Sequence, residues 1–151
     1  MATTVTAATL TVEVAESITL NGVSRNSSTT ASISSIGEIS NRIMSITNST
    51  NGTDIVNIGT GSGAGTFDKT AVKYLRFTNL DDTNFVTIQF TDESTHHWEL
   101  KLEAGKSLII GDTSSIDDQA DIDNFSATAI TKIIGKADTA AVDLEVYIAS
   151  T

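Results

Sequence analysis

The stretch VKYLRFTNLDDTNFVTIQFTDESTHHWELKLEAGKSLIIGD, residues 72 to 112, decides the fold. In VKYLRFTN and NFVTIQFT, β-branched and aromatic residues recur at the spacing that suits a pleated, partly buried surface. Leu80, Asp81, Asp82 and Thr83 lie between them and include residues that favour turns, so the two segments are expected to pair as an antiparallel hairpin. Phe85 has the opposite parity to Ile88 and Phe90, so the three cannot share one face and both faces of that strand are expected to be partly covered. Trp98, Leu100 and Leu102 then alternate with Glu99, Lys101 and Glu103 before a turn at Ala104-Gly105, after which Leu108 to Ile110 returns.

The same period of two extends outward in both directions. Toward the N-terminus, Leu10, Val12 and Val14 alternate with Thr9, Thr11 and Glu13, and Ile18 and Leu20 continue the pattern to a turn at Asn21-Gly22. Residues 24 to 35, SRNSSTTASISS, offer few large apolar groups and read as a surface loop. Ile39, Ile43 and Ile46 fit a helical turn or a strand, and strand is the expectation. Asn51-Gly52 predicts a hairpin between that segment and Asp54 to Ile58. GTGSGAG, residues 59 to 65, reads as a flexible loop. Toward the C-terminus, ATAITKIIGKA reads as a strand, and in AVDLEVYIAS Leu144, Val146 and Ile148 alternate with Asp143, Glu145 and Tyr147. Many short strands separated by turn signals, with no sustained helical period, predict one all-β domain over residues 1 to 151. Its expected form is an antiparallel β-sandwich, with a jelly roll as the specific variant.

Composition agrees and narrows function. Of 151 residues, 39% are hydrophobic and only 5% aromatic, so the core must come from Ile, Val, Leu and Ala. A formal net charge of −10 makes the average surface repel phosphate backbones and anionic lipid, so neither nucleic acid nor membrane is an expected partner. There is no Cys, which removes disulfides and thiolate metal sites. No stretch reaches the roughly 20 apolar residues needed to span a bilayer, and the N-terminus lacks the basic and apolar regions of a signal peptide. Synthesis in the cytoplasm is expected. The absence of Pro removes one common device for blunting sheet edges, which suggests edges that pair with another subunit.

Each candidate for chemistry has a plainer reading. His96 and His97 with Glu99 and Glu103 invite a metal, and the segment has some likeness to the cupin metal motif. Neighbouring strand residues point to opposite faces, however, and the His-x-His pair of that motif is missing. Gly59, Gly61, Gly63 and Gly65 loosely match a dinucleotide loop, which requires a helix N-terminus to receive the phosphate, whereas TFDKTAVKYLRF continues as loop and strand. Asp117, Asp118, Asp121 and Asp123 in the acidic stretch 112 to 123 could hold calcium but lack the glycine and closing glutamate of an EF-hand. Tyr74, Trp98 and Tyr147 could make a sugar-binding platform, although Trp98 is expected in the core. With no Gly-x-Ser-x-Gly elbow and only two histidines to act as base, the expectation is no enzyme and no catalytic, cofactor or metal residue.

VKYLRFTNLDDTNFVTIQF followed by WELKLEAGKSLIIGD resembles a segment of small β-sandwich proteins of tailed bacteriophages, over about the middle third of the chain. The resemblance implies a virion component similar to capsid decoration, or cement, proteins on the outer shell. Its expected partners are the major capsid protein and further copies of itself, with a trimer as the arrangement in view. Residues 2 to 14 are the expected arm or edge strand that adds to a neighbour's sheet. The alternative is a neck, tail or fibre part in which loops 24 to 35 and 59 to 65 contact host glycans.

Overall fold

A computed structural model describes residues 4–61, 63, 65–93, 96–111 and 130–151. The described chain is all-β, and its thirteen strands are β1 (Ala8–Glu16), β2 (Thr19–Leu20), β3 (Val23–Ser24), β4 (Ser27–Ile36), β5 (Glu38–Ile46), β6 (Thr53–Gly59), β7 (Thr66–Asp68), β8 (Val72–Asn79), β9 (Val86–Asp92), β10 (His97–Leu102), β11 (Ser107–Ile110), β12 (Ile130–Ala137) and β13 (Val142–Ser150). They group into two compact units, Met1–Gly37 with Thr151, and Glu38–Ser150.

The larger unit is a β-sandwich. One sheet has the order β10-β9-β12-β6-β7 and the other β11-β8-β13-β5, antiparallel throughout except for the short β6–β7 pair. Alternation builds the core: Val86, Ile88 and Phe90 on β9 and Leu144, Val146 and Ile148 on β13 are buried while the residues between them are more exposed, and β13 ends with Ala149 and Ser150 buried as well. Phe77 of one sheet meets Phe90 of the other edge-to-face at 6.2 Å and 79°. This is the favoured geometry for two ring quadrupoles. Phe85 lies on the opposite parity, as its position requires, and is half-buried beneath the Lys101 ammonium 4.2 Å from its ring centroid.

Local turn signals in the sequence are real, but most of them join sheets instead of neighbouring strands. β8 and β9, expected to pair with each other, lie in opposite sheets, where β8 pairs with β11 and β13, and β9 pairs with β10 and β12. Both strands bury one apolar face, and two such faces can be covered by stacking across the sandwich as well as by lying side by side. The Asn51-Gly52 turn likewise carries the chain from β5 into the other sheet, so it is a corner and not a hairpin. There Gly52 has φ +70°, and a Cβ on it would come within 2.5 Å of the Ile134 Cγ2 and 3.0 Å of the Gly135 carbonyl oxygen. The Ala104-Gly105 turn also crosses between sheets, from β10 to β11.

The smaller unit corrects the reading of residues 24 to 35. These include the last residue of β3, Ser24, and most of β4, which pairs antiparallel with β1 from Leu10↔Ile33 to Glu16↔Ser27. Ser and Thr satisfy a strand by pairing across a ladder that faces solvent on both sides, so the lack of large apolar groups did not prevent it. The register shifts between Ala8 and Leu10, where Ser35 takes φ +64°, the left-handed backbone of a bulge. At the far end Asn21 (φ +51°) and Gly22 (φ +78°) supply the paired positive angles of a tight two-residue turn.

Candidate functional site

The candidate groups near residue 97 do not converge on one point. His96 donates its backbone N–H to Asp92 Oδ1 at 2.8 Å, and its Nδ1 lies 3.0 Å from Asp92 Oδ2. His97 begins β10 opposite Thr91, Glu99 accepts from Gln89 Nε2 at 2.5 Å, and Glu103 pairs with Lys101 at 2.6 Å. Each candidate ligand therefore faces a different partner, and among the described residues no group of three His, Asp or Glu side chains could hold a metal. The acidic residues Asp117, Asp118, Asp121 and Asp123 lie outside the described residues.

Of the glycine run, Gly59 ends β6, and Gly63 and Thr66 exchange backbone hydrogen bonds at 3.1 and 3.0 Å that turn the chain into β7. The segment leads into a strand parallel to β6, with no helix N-terminus to receive a phosphate. The aromatic platform is also divided. Tyr74 and Tyr147 meet edge-to-face at 5.9 Å on the sheet containing β8 and β13, whereas Trp98 stands on β10 of the other sheet, 5.2 Å from Phe90. Trp98 is 39% exposed and so is not the core residue expected, although its cross-strand neighbour Phe90 is fully buried.

Two surfaces hold apolar groups in water. The first is the ribbon of β1 and β4 with the β2–β3 hairpin that connects them, where Val14, Ile18, Leu20 and Val23 are all exposed. The ribbon is ordered by local polar bonds: Arg25 N–H to the Ile18 carbonyl at 2.8 Å, Ile18 N–H to Asn26 Oδ1 at 3.0 Å, and Ser28 hydroxyl to Glu13 at 2.9 Å. A two-stranded ribbon without a buried face is marginal in water, so a surface that covers it would add stability.

The second is the outer face of the β11-β8-β13-β5 sheet. The register sets Ile43 across from Glu145, Asn41 across from Tyr147, and Ile39 across from Ala149, while Tyr147 in turn faces Arg76. Arg76 binds Glu145 at 2.7 Å and lies 6.0 Å from the Tyr147 ring centroid. The hydrogen bond to Glu145 raises the guanidinium pKa further, and burial raises that of the Tyr74 hydroxyl above its usual value. Around this fixed polar centre, Ile39 is 53% and Ile43 63% exposed on the edge strand β5. The sequence placed Ile39 and Ile43 on an expected strand without saying which face would be covered. Their exposure follows from β5 lying at a sheet edge, and edge position is set by long-range pairing.

On the opposite sheet, Asn51, Thr87, Gln89, Glu99 and Lys136 line a shallow polar groove. No helix among the described residues is long and apolar enough to cross a membrane. No family model matches the chain, and neither curated proteins nor solved structures yield a match.

Proposed function

We propose that the chain is a bacteriophage capsid decoration protein, which binds the outer capsid surface and stabilises the head by bridging major capsid subunits. The observation that carries this reading is the ribbon. The strands β1 and β4, nine and ten residues long, form a ladder whose side chains are mostly exposed, and the β2–β3 hairpin at its end presents Ile18, Leu20 and Val23. Such an element would gain stability where another molecule covers it, which is the expectation for a part that attaches to a shell in many copies. It also broadens the expected arm from residues 2 to 14 to the whole ribbon. The acidic balance, which avoids competition for a packaged genome, supports the same reading. The strand order is compatible with the jelly-roll variant expected from the sequence: with β7 set aside, β11-β8-β13-β5 lies opposite β10-β9-β12-β6, and jelly rolls are used in viral shells.

The test is cryo-electron microscopy of particles from a source encoding this chain. Density repeating over the icosahedral shell is the expected result, and absence from purified particles overturns the proposal. A paired Leu20→Asp and Val23→Asp variant should lower occupancy of the shell while leaving the sandwich folded by circular dichroism.

A second reading, a tail or fibre part that contacts host glycans, is favoured by the polar groove along Gln89, Glu99 and Lys136. Its recognition surface would be that groove and not residues 24 to 35, which are largely strand. Few copies per particle, confined to the tail, would select it.

A further inference from the structure

We infer that β5 is a self-pairing edge, and that two copies of this chain join antiparallel along Glu38–Met44 about a two-fold axis through Asn41. The inference concerns the isolated protein and does not depend on the virion reading.

The edges of the sandwich differ in how well they are protected. β7 has three residues and β11 four, too short to template a partner. β10 has six and turns Glu99 and Lys101 outward. Short strands and charges are the usual defences of a sheet edge. β5 has nine residues, pairs with β13 without a register shift, and has β13 as its only partner among the described strands. Its outward side chains are Ile39, Asn41, Ile43 and Ser45, none of them charged.

The occupant follows from the symmetry of the sequence. In an antiparallel pair, backbone groups that face each other belong to residues of the same parity, so a two-fold axis must pass through a single residue position. With the axis at Asn41, Ile39 faces Ile43 of the second copy, Ile43 faces Ile39, and Asn41 faces Asn41. On the other face Arg42 stands opposite Ser40, and Glu38 lies diagonal to Arg42 of the second copy, within reach of long side chains. Moving the axis to Arg42 puts two guanidinium groups opposite each other and sets each isoleucine against a polar residue. Moving it to Ser40 sets Ile39 against Asn41 and shortens the ladder. Arg42 donates to the Ile55 carbonyl on the inner side of the edge, which disfavours the register that sets two guanidinium groups opposite each other. The Ser40-centred register would pair Arg42 with Glu38 of the second copy, but it separates the isoleucines and shortens the ladder, so the Asn41-centred register is the one that buries both isoleucines.

One ladder with four isoleucines is a small interface, so association in the micromolar range is expected. The chain has no cysteine, so single introduced cysteines report contacts directly. The full-length Asn41→Cys variant should oxidise to a disulfide dimer, because residues directly opposite in an antiparallel pair fall within disulfide range. Ser45→Cys and Ile109→Cys should remain largely monomeric under the same conditions. In sedimentation velocity the wild type should dimerise, and Ile43→Lys should weaken the dimer at least about tenfold with an unchanged circular dichroism spectrum. A wild type that stays monomeric up to about 0.5 mM overturns the inference. So does a dimer in which Asn41→Cys cross-links no faster than Ser45→Cys.

Discussion

Asn79 is a fully buried polar side chain at a corner where both sheets converge. Its Nδ2 donates to the Asn84 carbonyl at 2.9 Å and the Leu102 carbonyl at 3.1 Å, while its Oδ1 accepts from the Asp81 N–H at 3.0 Å. Asn79→Ala leaves these groups short of partners and should cost roughly 2–4 kcal/mol, read from urea denaturation; a loss below about 0.5 kcal/mol would refute the account. Asp81 continues the same corner. Backbone N–H groups of Asn84 and Thr83 bind its carboxylate at 2.6 and 2.8 Å and hold its pKa below the ordinary 3.8. A carboxylate with a depressed folded-state pKa contributes stability that is present above its unfolded value and is lost as pH falls through the folded one. The urea midpoint of the wild type should therefore fall as pH drops below 3.8, and that of Asp81→Asn should fall less over the same interval. Equal slopes would remove Asp81 from the explanation. Gly135 acts by size. A Cβ there would lie 3.0 Å from Ile55 Cδ1 and 3.1 Å from Ile46 Cγ2, so this glycine lets the sheets approach. Gly135→Val should overpack the core by about 1–3 kcal/mol, measured as a lowered Tm. None of these roles is marked in the sequence, where Asn79 and Asp81 show only a turn preference and Gly135 only an interruption of a strand.

Elements differ in how far their residues announce them. β9, and β13 from Val142 to Ile148, alternate cleanly because one face packs into the core while the other is more open to water, and the chain pattern records that directly. β4 has no such pattern. Its Ser and Thr residues form a ladder with solvent on both sides, so burial never selects apolar groups at alternate positions. Such an element should also be the least protected. Amide hydrogen exchange in residues 8–36 should be faster by orders of magnitude than in β8, β9 and β13, because opening the ribbon exposes little apolar surface. Comparable protection in the free protein would show that the ribbon is already covered. The β8–β9 connection teaches a related point: a turn signal reports that the chain reverses, but not whether the reversal stays in one sheet.

For the molecule as a whole, the sandwich rests on one core drawn from both sheets, with Phe77, Phe90, Ile88, Ile133, Leu144 and Ile148 fully enclosed. Phe77→Ala should cost about 3–5 kcal/mol in urea denaturation, because the cavity would lie where the two layers meet and neither backbone can collapse into it. A loss near 1 kcal/mol would mean that the core repacks around the gap. The sequence by itself determined that the chain is all-β and layered, which residues turn, and which faces of the later strands are buried. These properties are written in alternation and turn chemistry, interactions reaching only a few residues along the chain. Tertiary structure alone decided which strands are neighbours, that Tyr74 and Tyr147 stand apart from Trp98, that the histidines and acids near residue 97 have separate partners, and that β5 lies at an edge with Ile39 and Ile43 in water. The physical reason is that an apolar face specifies only that it must be covered. What covers it, and which edge is left open, follows from long-range pairings whose energies are properties of the whole sheet arrangement.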